Sequence, residues 1–162
     1  MARHCSHHFA RAVVADVVRK AGQVVVVYDY MLDESGNPTG NDRAPSGVLR
    51  SYLGNDFFSK VIRIEFPAGQ LPGCGLSPLY SIRGLRHLSL RSTTVKDKDV
   101  SIDAMPGVRS LDTAFTDITD ATVNRFASLK SLRSLDLSGT LITDASLQSI
   151  GSIQTLEDVT IQ

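Results

Sequence analysis

Apolar residues recur along the chain at a fixed period, in a six-residue frame whose first, fourth and sixth positions are apolar. The frames begin 24, 23, 24 and 24 residues apart, at Val61, Leu85, Val108, Leu132 and Leu156. A period in the twenties is typical of a solenoid, in which each unit buries its apolar side only against its neighbours. We therefore predict that residues 61–162 form four repeats and a terminal strand, each repeat containing one short strand and a return segment.

Alternation within each frame predicts two different sheet faces. Positions one, four and six face the core, and the residues between them lie on the opposite face of the sheet, here called the concave face. Fourteen of the fifteen core positions are apolar, and Thr113 is the exception. Position sixteen of each repeat is expected to extend the core. After position sixteen, each repeat has a pair of apolar residues three positions apart, which predicts a short helix on the convex side. The position-sixteen residues are Leu76, Val100, Val123 and Leu147.

Threonine and aspartate recur just after the predicted strands. The position-nine threonines are expected to hydrogen-bond backbone groups that the bend leaves unpaired. These residues are Thr93, Thr116 and Thr140. Three aspartates follow, and two of them come directly after a threonine, which is the chemistry of helix caps. They are Asp97, Asp120 and Asp144. Because the period explains these carboxylates as caps, we interpret them as structural groups.

The first 60 residues lack this period and are predicted to form an α/β cap on the solenoid. Apolar residues spaced four apart predict a helix over 9–18, and the β-branched run 24–30 predicts a strand in or beside the sheet. Glycine and proline mark 33–47 as a loop, and a short helix is expected over 48–53. Solenoids need an end unit whose outer face tolerates water, and this array can provide one.

Composition narrows the functions open to the chain. Its 162 residues include 17 basic and 17 acidic ones, so the net charge is zero. Electrostatic attraction to nucleic acid or to an anionic membrane is therefore not expected. No apolar run approaches the roughly 18 residues of a membrane span, and Cys5 and Cys74 match no disulfide or zinc spacing. We expect a cytoplasmic protein without a cofactor, with organelle targeting by the basic N-terminus as an alternative.

Two segments resemble a known class of repeat. Residues 116–123 (TDITDATV) and 140–147 (TLITDASL) resemble the T-x-I-T-D-x-x-L leucine-rich repeats of bacterial proteins, which are similar to the cysteine-containing subclass with threonine in the cysteine place. The resemblance covers about two thirds of the chain. It implies a right-handed α/β solenoid with a parallel sheet on its concave face and a role in protein binding. It brings no active site with it, and the first sixty residues show no match to the F-box of eukaryotic relatives.

The concave face supplies the candidate protein-binding site. Its residues are Arg63, His87, Arg91, Asp112, Phe115 and Asp136. Arg91 and Phe115 are the expected anchors, because arginine and aromatic side chains are enriched in interfaces. Ala114 and Ser138 are expected on the same face, and position two adds a stack of arginines. The stack comprises Arg86, Arg109 and Arg133. The alternative is an ordinary solvated strand face.

A metal-binding tail is one other hypothesis that the sequence leaves open. Histidine and cysteine crowd the N-terminus as His4, Cys5, His7 and His8. Removal of Met1 would put a histidine at the third position, where a free amine, two amides and an imidazole suit a square-planar copper or nickel chelate.

A hydrolase is the weaker hypothesis. Ser110, His87 and Asp112 fall on adjacent strands and include the side chains of a nucleophilic triad. A flat sheet, however, supplies no oxyanion donors and no pocket that excludes water.

The last strand predicts self-association. Leu156, Val159 and Ile161 belong to the repeat core, and the sequence shows no capping segment after them. An unpaired strand with apolar positions readily pairs with another chain. We expect a two-fold homodimer through this strand, or a chain that is a fragment of a longer repeat protein.

Overall fold

The computed structural model describes the backbone of Val25–Tyr28 and residues 61–69, 71, 76, 79, 82, 84–101 and 105–162. Within these residues, one six-stranded sheet runs in sequence order. Its strands are β1 (Val25–Tyr28), β2 (Val61–Glu65), β3 (His87–Ser89), β4 (Ser110–Asp112), β5 (Ser134–Asp136) and β6 (Asp158–Thr160). β1 pairs with β2 in antiparallel orientation, so the strand expected over 24–30 is confirmed beside the first repeat. The other elements of the expected cap lie outside the described residues.

The four later strand pairs are parallel and have no offset between repeats. Ile64 stands beside Leu88, Leu88 beside Leu111, and Leu111 beside Leu135. A constant sequence period and a constant register require each other, because every inward side chain then packs on its own counterpart in the next repeat. Val159 of β6 continues the same row beside Leu135.

Burial follows the predicted alternation within the strands. The middle residue of β3, β4 and β5 is buried, and its two neighbours in each strand are half-buried. The exception expected at Thr113 is buried as well, and its hydroxyl donates to the backbone oxygen of Asp136 at 3.0 Å. This bond satisfies the polar atom that the fully buried position would otherwise leave unpaired.

Five of the described residues depart from the predicted burial, and two of them are the exposed core positions Val159 and Ile161 of the last strand. Ala114 and Ser138 were expected to be accessible on the concave face but are buried, whereas Arg91 at the same repeat position is exposed. Leu147 was expected in the core but its side chain is 48% exposed, since no further repeat in the described chain packs over it. The equivalent residue one repeat earlier, Val123, is fully buried.

The position-nine threonines form the predicted ladder. The hydroxyls of Thr93, Thr116 and Thr140 each donate at 2.6 Å to the carbonyl three residues earlier. Each bond therefore closes the bend that leads out of a strand, and the same bend is reproduced in three successive repeats.

Within the described residues, the return segments contain two α-helices, α1 (Asp120–Phe126) and α2 (Leu147–Gly151), and two 3-10 turns, Asp97–Asp99 and Asp144–Ser146. Thr119 caps α1 by accepting the backbone N–H of Ala121 at 3.3 Å. Thr143 caps the second 3-10 turn in the same way, at 3.2 Å. The threonines are therefore caps, as the sequence suggested.

Asp97 and Asp120 form hydrogen bonds between repeats, and this corrects the sequence interpretation of these two aspartates as helix caps. Asp97 accepts the backbone N–H and the hydroxyl of Thr119 at 2.9 and 2.7 Å, one repeat later. Asp120 accepts the same two groups of Thr143 at 2.8 and 2.7 Å. We call these two pairs the Asp–Thr bridges. Each joins neighbouring repeats, because the threonine that caps one helix also donates to the aspartate before it.

Candidate functional site

The most unusual backbone of the concave face lies at position eight, where each strand turns into its return segment. Ser92, Phe115 and Gly139 have φ angles of 55°, 56° and 62°, all in the left-handed region. A non-glycine residue costs roughly 1–2 kcal/mol in this conformation. Strain of this kind persists only where the surrounding structure enforces it, and it is common at binding sites.

Phe115 is the strained residue with the largest exposed side chain. Its ring is held between two neighbours although 53% of the residue is exposed. Below it lies Gly139, where an added β-carbon would stand 2.6 Å from Cδ1 of the ring. Above it the guanidinium of Arg91 lies 4.9 Å from the ring centroid, which is cation–π geometry. The three repeats therefore present an aromatic side chain that is solvent-accessible and positioned.

Two carboxylates hold Arg91 in this place. Its Nη1 lies 3.2 Å from Asp136 Oδ2 and 3.9 Å from Asp112 Oδ1. All three side chains are partly exposed, so the pairing orients the guanidinium more than it stabilises the fold. The structure thus brings four predicted site residues together as one group, which we call the Phe115 cluster: Arg91, Asp112, Phe115 and Asp136.

The two carboxylates also hydrogen-bond the turns that follow their strands. Asp112 Oδ1 accepts the backbone N–H of Ala114 at 3.0 Å. Asp136 Oδ1 accepts the backbone N–H and the hydroxyl of Ser138 at 3.0 and 2.7 Å. The aspartate at position five therefore fixes the turn that carries Phe115 or Gly139 at position eight.

The other two predicted residues, Arg63 and His87, lie beside each other on β2 and β3. Burial lowers the pKa of His87, and the positive charges of Arg63, Arg109 and Arg86 lower it further. Burial and the nearby positive charges therefore both favour the neutral form of the imidazole. Arg63 forms an ion pair with Glu65 at 3.3 Å.

A solvent-open hollow of about 320 Å³ connects these two groups of residues. Its lining comprises Arg63, Glu65, His87, Leu88, Ser89, Arg91, Ser110 and Asp112. The concave face therefore presents a polar hollow lined by both basic and acidic side chains, with the aromatic ring of Phe115 next to Arg91.

Sequence reasoning placed all six residues on one face but missed Gly139. The residue supports the Phe115 cluster through its missing β-carbon, and its signal in the sequence was a glycine at the position where the neighbouring repeats have serine and phenylalanine. That signal becomes interpretable only when the register across strands is known, because the contact joins residues 24 positions apart.

The hydrolase arrangement is not assembled. His87 and Ser110 are neighbours on paired strands, but no hydrogen bond joins His87 to Ser110 or to Asp112. Asp112 instead accepts from Ser89 and Ala114. The base of a triad must be hydrogen-bonded to both of its partners, so these three residues do not constitute one.

The residues of the N-terminal tail, His4, Cys5, His7 and His8, lie outside the described part of the chain, and the copper or nickel chelate stays a prediction. Among the residues that are described, no group of three or more histidines, cysteines or carboxylates could hold a metal ion. The same part of the chain has no helix that is long and apolar enough to cross a membrane.

One short parallel strand for every 23 or 24 residues, with leucine-rich core positions and helical return segments, defines this fold as a leucine-rich repeat α/β solenoid. No family model matches the chain, and no curated protein matches it either.

Solved structures that resemble the chain include two internalins of Listeria monocytogenes. Internalin C2 has a TM-score of 0.44 and 22% sequence identity, over 54% of this chain and 37% of its own. A second internalin, inlF, has a TM-score of 0.40 and 19% identity, over 52% of this chain and 30% of its own. The matched region therefore spans about a third of either internalin.

Proposed function

We propose that this protein is a non-enzymatic protein-binding module that engages its partner through the concave face, with Phe115 and Arg91 as the anchors. The observation that carries the proposal is the strained, exposed and supported Phe115. An aromatic side chain with 53% of its surface exposed would gain by burial in a partner. Its backbone conformation and its packing on Gly139 reduce the conformational entropy lost on binding.

The remaining residues of the proposed interface surround these anchors. Arg63, His87, Asp112 and Asp136 provide polar groups at the rim, where they select a partner more than they add affinity. A central aromatic and arginine pair with a polar rim is the usual arrangement of energetic hot spots.

The test is affinity capture of the native partner with Phe115→Ala and Arg91→Ala. Partners of the wild-type protein are first identified by mass spectrometry, and binding of each purified partner is then measured by calorimetry. We expect both variants to weaken binding by at least about 30-fold, the loss typical of a hot-spot residue. Far-ultraviolet circular dichroism checks that both variants are folded.

Leu147→Ala is the matched control. Leu147 is 48% exposed, nearly as much as Phe115, but it lies in α2, outside the sheet. Its truncation should leave partner binding unchanged. Unchanged binding by Phe115→Ala, or an equal loss in Leu147→Ala, would refute the proposed interface.

Self-association through β6 is a second proposal, supported by exposed apolar positions. Val159 and Ile161 occupy inward-facing positions but are 42% and 44% exposed, and Leu156 is only partly buried against the core. In the described chain, β6 pairs with β5 on one edge and with no strand on the other. Sedimentation should show a dimer that Val159→Lys dissociates, whereas a wild-type monomer at high concentration would contradict it.

We also propose that the repeats belong to the T-x-I-T-D type and that the protein is cytoplasmic. The Asp–Thr bridges support the repeat type, because they give a structural role to both the threonine and the aspartate of the T-D pair.

The absence of a disulfide spacing supports a cytoplasmic location, and microscopy of the tagged full chain tests it.

A further inference from the structure

We propose that the hollow around His87 is a subsite for a carboxylate group, so that the bound partner segment is acidic. This inference rests on the proposed function and assigns it a partner chemistry. It depends on the contents of the hollow between β2, β3 and β4, and not on the Phe115 cluster.

The hollow offers several donors at one place. Arg63 and His87 stand side by side, and Ser110 follows at the same register position on β4. Successive positions on neighbouring strands are about 4.8 Å apart, so a single carboxylate can reach two of these groups at once. The Nε of Arg63 is buried and has no hydrogen-bond partner among the described residues. Because this atom is not accessible from the hollow, the proposed subsite depends on the half-buried side chains of Arg63, His87 and Ser110.

Among the described residues, positive charge near His87 exceeds the negative charge paired with it. Arg63 is paired with Glu65, but Arg86 donates to the uncharged carbonyl of Gly107 at 3.0 Å. The structure gives Arg109 no carboxylate partner within the described ranges. Two guanidinium groups that act on the imidazole therefore have no carboxylate partner in the part of the chain that the structure describes.

The acidic residues of the hollow favour a carboxylate over a longer polyanion. Glu65 and Asp112 line the hollow two residues along their strands from Arg63 and Ser110, and Asp136 pairs with Arg91. These carboxylates would repel a continuous phosphate backbone, whereas one acidic side chain can contact the row of Arg63, His87 and Ser110 alone. The hollow is also next to Arg91, so one extended peptide could place an acidic residue near His87 and an apolar residue on Phe115.

The experiment follows the imidazole of His87 by NMR while a ligand is added to the full chain. The probes are a tetraglutamate peptide, the corresponding tetraglutamine peptide and inorganic phosphate. The His87 signals are assigned by their loss in His87→Gln. We expect saturable shifts with tetraglutamate and none with tetraglutamine, and an increase in the pKa of His87 when tetraglutamate is bound, because a nearby anion favours the charged imidazole.

Arg109→Gln and Arg133→Gln are the matched variants, since both arginines occupy position two. Arg109 contributes to the charge at His87, whereas Arg133 lies one strand further on and is paired with Glu157. Arg109→Gln should weaken tetraglutamate binding about fivefold, and Arg133→Gln less than about twofold.

Three results would overturn the inference: no shift with tetraglutamate, equal shifts with both peptides, or a response to inorganic phosphate alone. None of them touches the proposed function, which is tested by partner binding in Phe115→Ala. Partner binding that requires Phe115 but occurs without a carboxylate response at His87 leaves the protein-binding module in place and removes the acidic subsite.

Discussion

The ring of Phe115 covers the position where Gly139 has no side chain. A β-carbon on Gly139 would come within 2.6 Å of Cδ1 and 2.8 Å of Cε1 of that ring. Glycine is therefore needed at position 139 for two reasons: its backbone is left-handed, and a side chain there would occupy the space of the Phe115 ring. An exposed aromatic side chain and a residue of the next repeat are thus structurally dependent on each other.

Gly139→Ala should reduce the free energy of unfolding by about 1–2 kcal/mol from backbone conformation alone, and by more if the Phe115 ring cannot move aside. Chemical denaturation of both proteins measures the change. Gly151→Ala is the control, because a β-carbon there has nothing within 4 Å. Combining Gly139→Ala with Phe115→Ala should recover the part that comes from the ring, and strict additivity of the two changes would show that the contact is not strained.

The Asp–Thr bridge at Asp97 should contribute measurably to stability. Asp97→Ala removes the acceptor of two Thr119 hydrogen bonds, and we expect a loss of about 1 kcal/mol after allowance for partial exposure to solvent. Asp144 occupies the same repeat position and is exposed, and no Asp–Thr bridge involves it in the described chain. Asp144→Ala should therefore stay within about 0.5 kcal/mol of the wild type, and an equal loss in both variants would argue against the bridge.

Acid should weaken the fold through the same bridges. Burial raises the pKa of Asp97, but the hydrogen bonds from Thr119, the Thr122 hydroxyl and the charge of Arg125 together outweigh it, so the pKa is below its usual 3.8. Hydrogen bonds from Thr143 lower the pKa of Asp120 in the same direction. A lowered folded-state pKa contributes stability that is complete above the unfolded value and disappears as the pH falls through the folded value. Denaturation midpoints from pH 7 to below 3.8 should fall, and should fall less in Asp97→Asn.

The threonine ladder predicts a position-specific cost for losing a hydroxyl. Thr116→Val keeps the volume of a buried side chain but removes its bond to the Thr113 carbonyl, so we expect a loss of about 1–2 kcal/mol. Thr94→Val provides the comparison, because Thr94 is exposed. Thr94→Val should change the free energy of unfolding by no more than about 0.5 kcal/mol, and similar effects at both positions would contradict the role of the ladder.

The basic groups around His87 predict the direction in which its pKa changes. Burial, Arg63, Arg109 and Arg86 all lower it from 6.5. Arg109→Gln removes one of these charges, so the pKa of His87 should rise toward 6.5. NMR titration of the imidazole without ligand measures it, and Arg133→Gln should leave it almost unchanged. A pKa of His87 that does not change in Arg109→Gln would show that the charge of Arg109 does not act on the imidazole.

Much of the fold could be predicted because one period repeats the same information. Strand positions, the threonine ladder and the buried Thr113 all followed from aligning the frames, since each repeat tests the register of the others. Leu147 was misassigned for the opposite reason. Burial at its position depends on the neighbouring repeat, so a local pattern cannot reveal whether that neighbour is present.

The site was predictable as a face but not as a set of contacts. Alternation placed Arg91 and Phe115 correctly, because exposure at those positions is a local property. The Asp–Thr bridges and the contact between Phe115 and Gly139 join different repeats, and their geometry depends on side-chain conformations that the period does not determine. A carboxylate can accept hydrogen bonds either at a helix N-terminus or from the next repeat. The sequence therefore predicts a cap for Asp97 and Asp120, although both bind the threonine of the following repeat.

The Asp–Thr bridges also have a mechanical consequence. Each bridge joins only two adjacent repeats, so an applied force would separate the repeats one interface after another. Stretched from its two ends, the solenoid would yield in discrete events, each releasing roughly 80 Å of contour length, the extended length of a 24-residue unit.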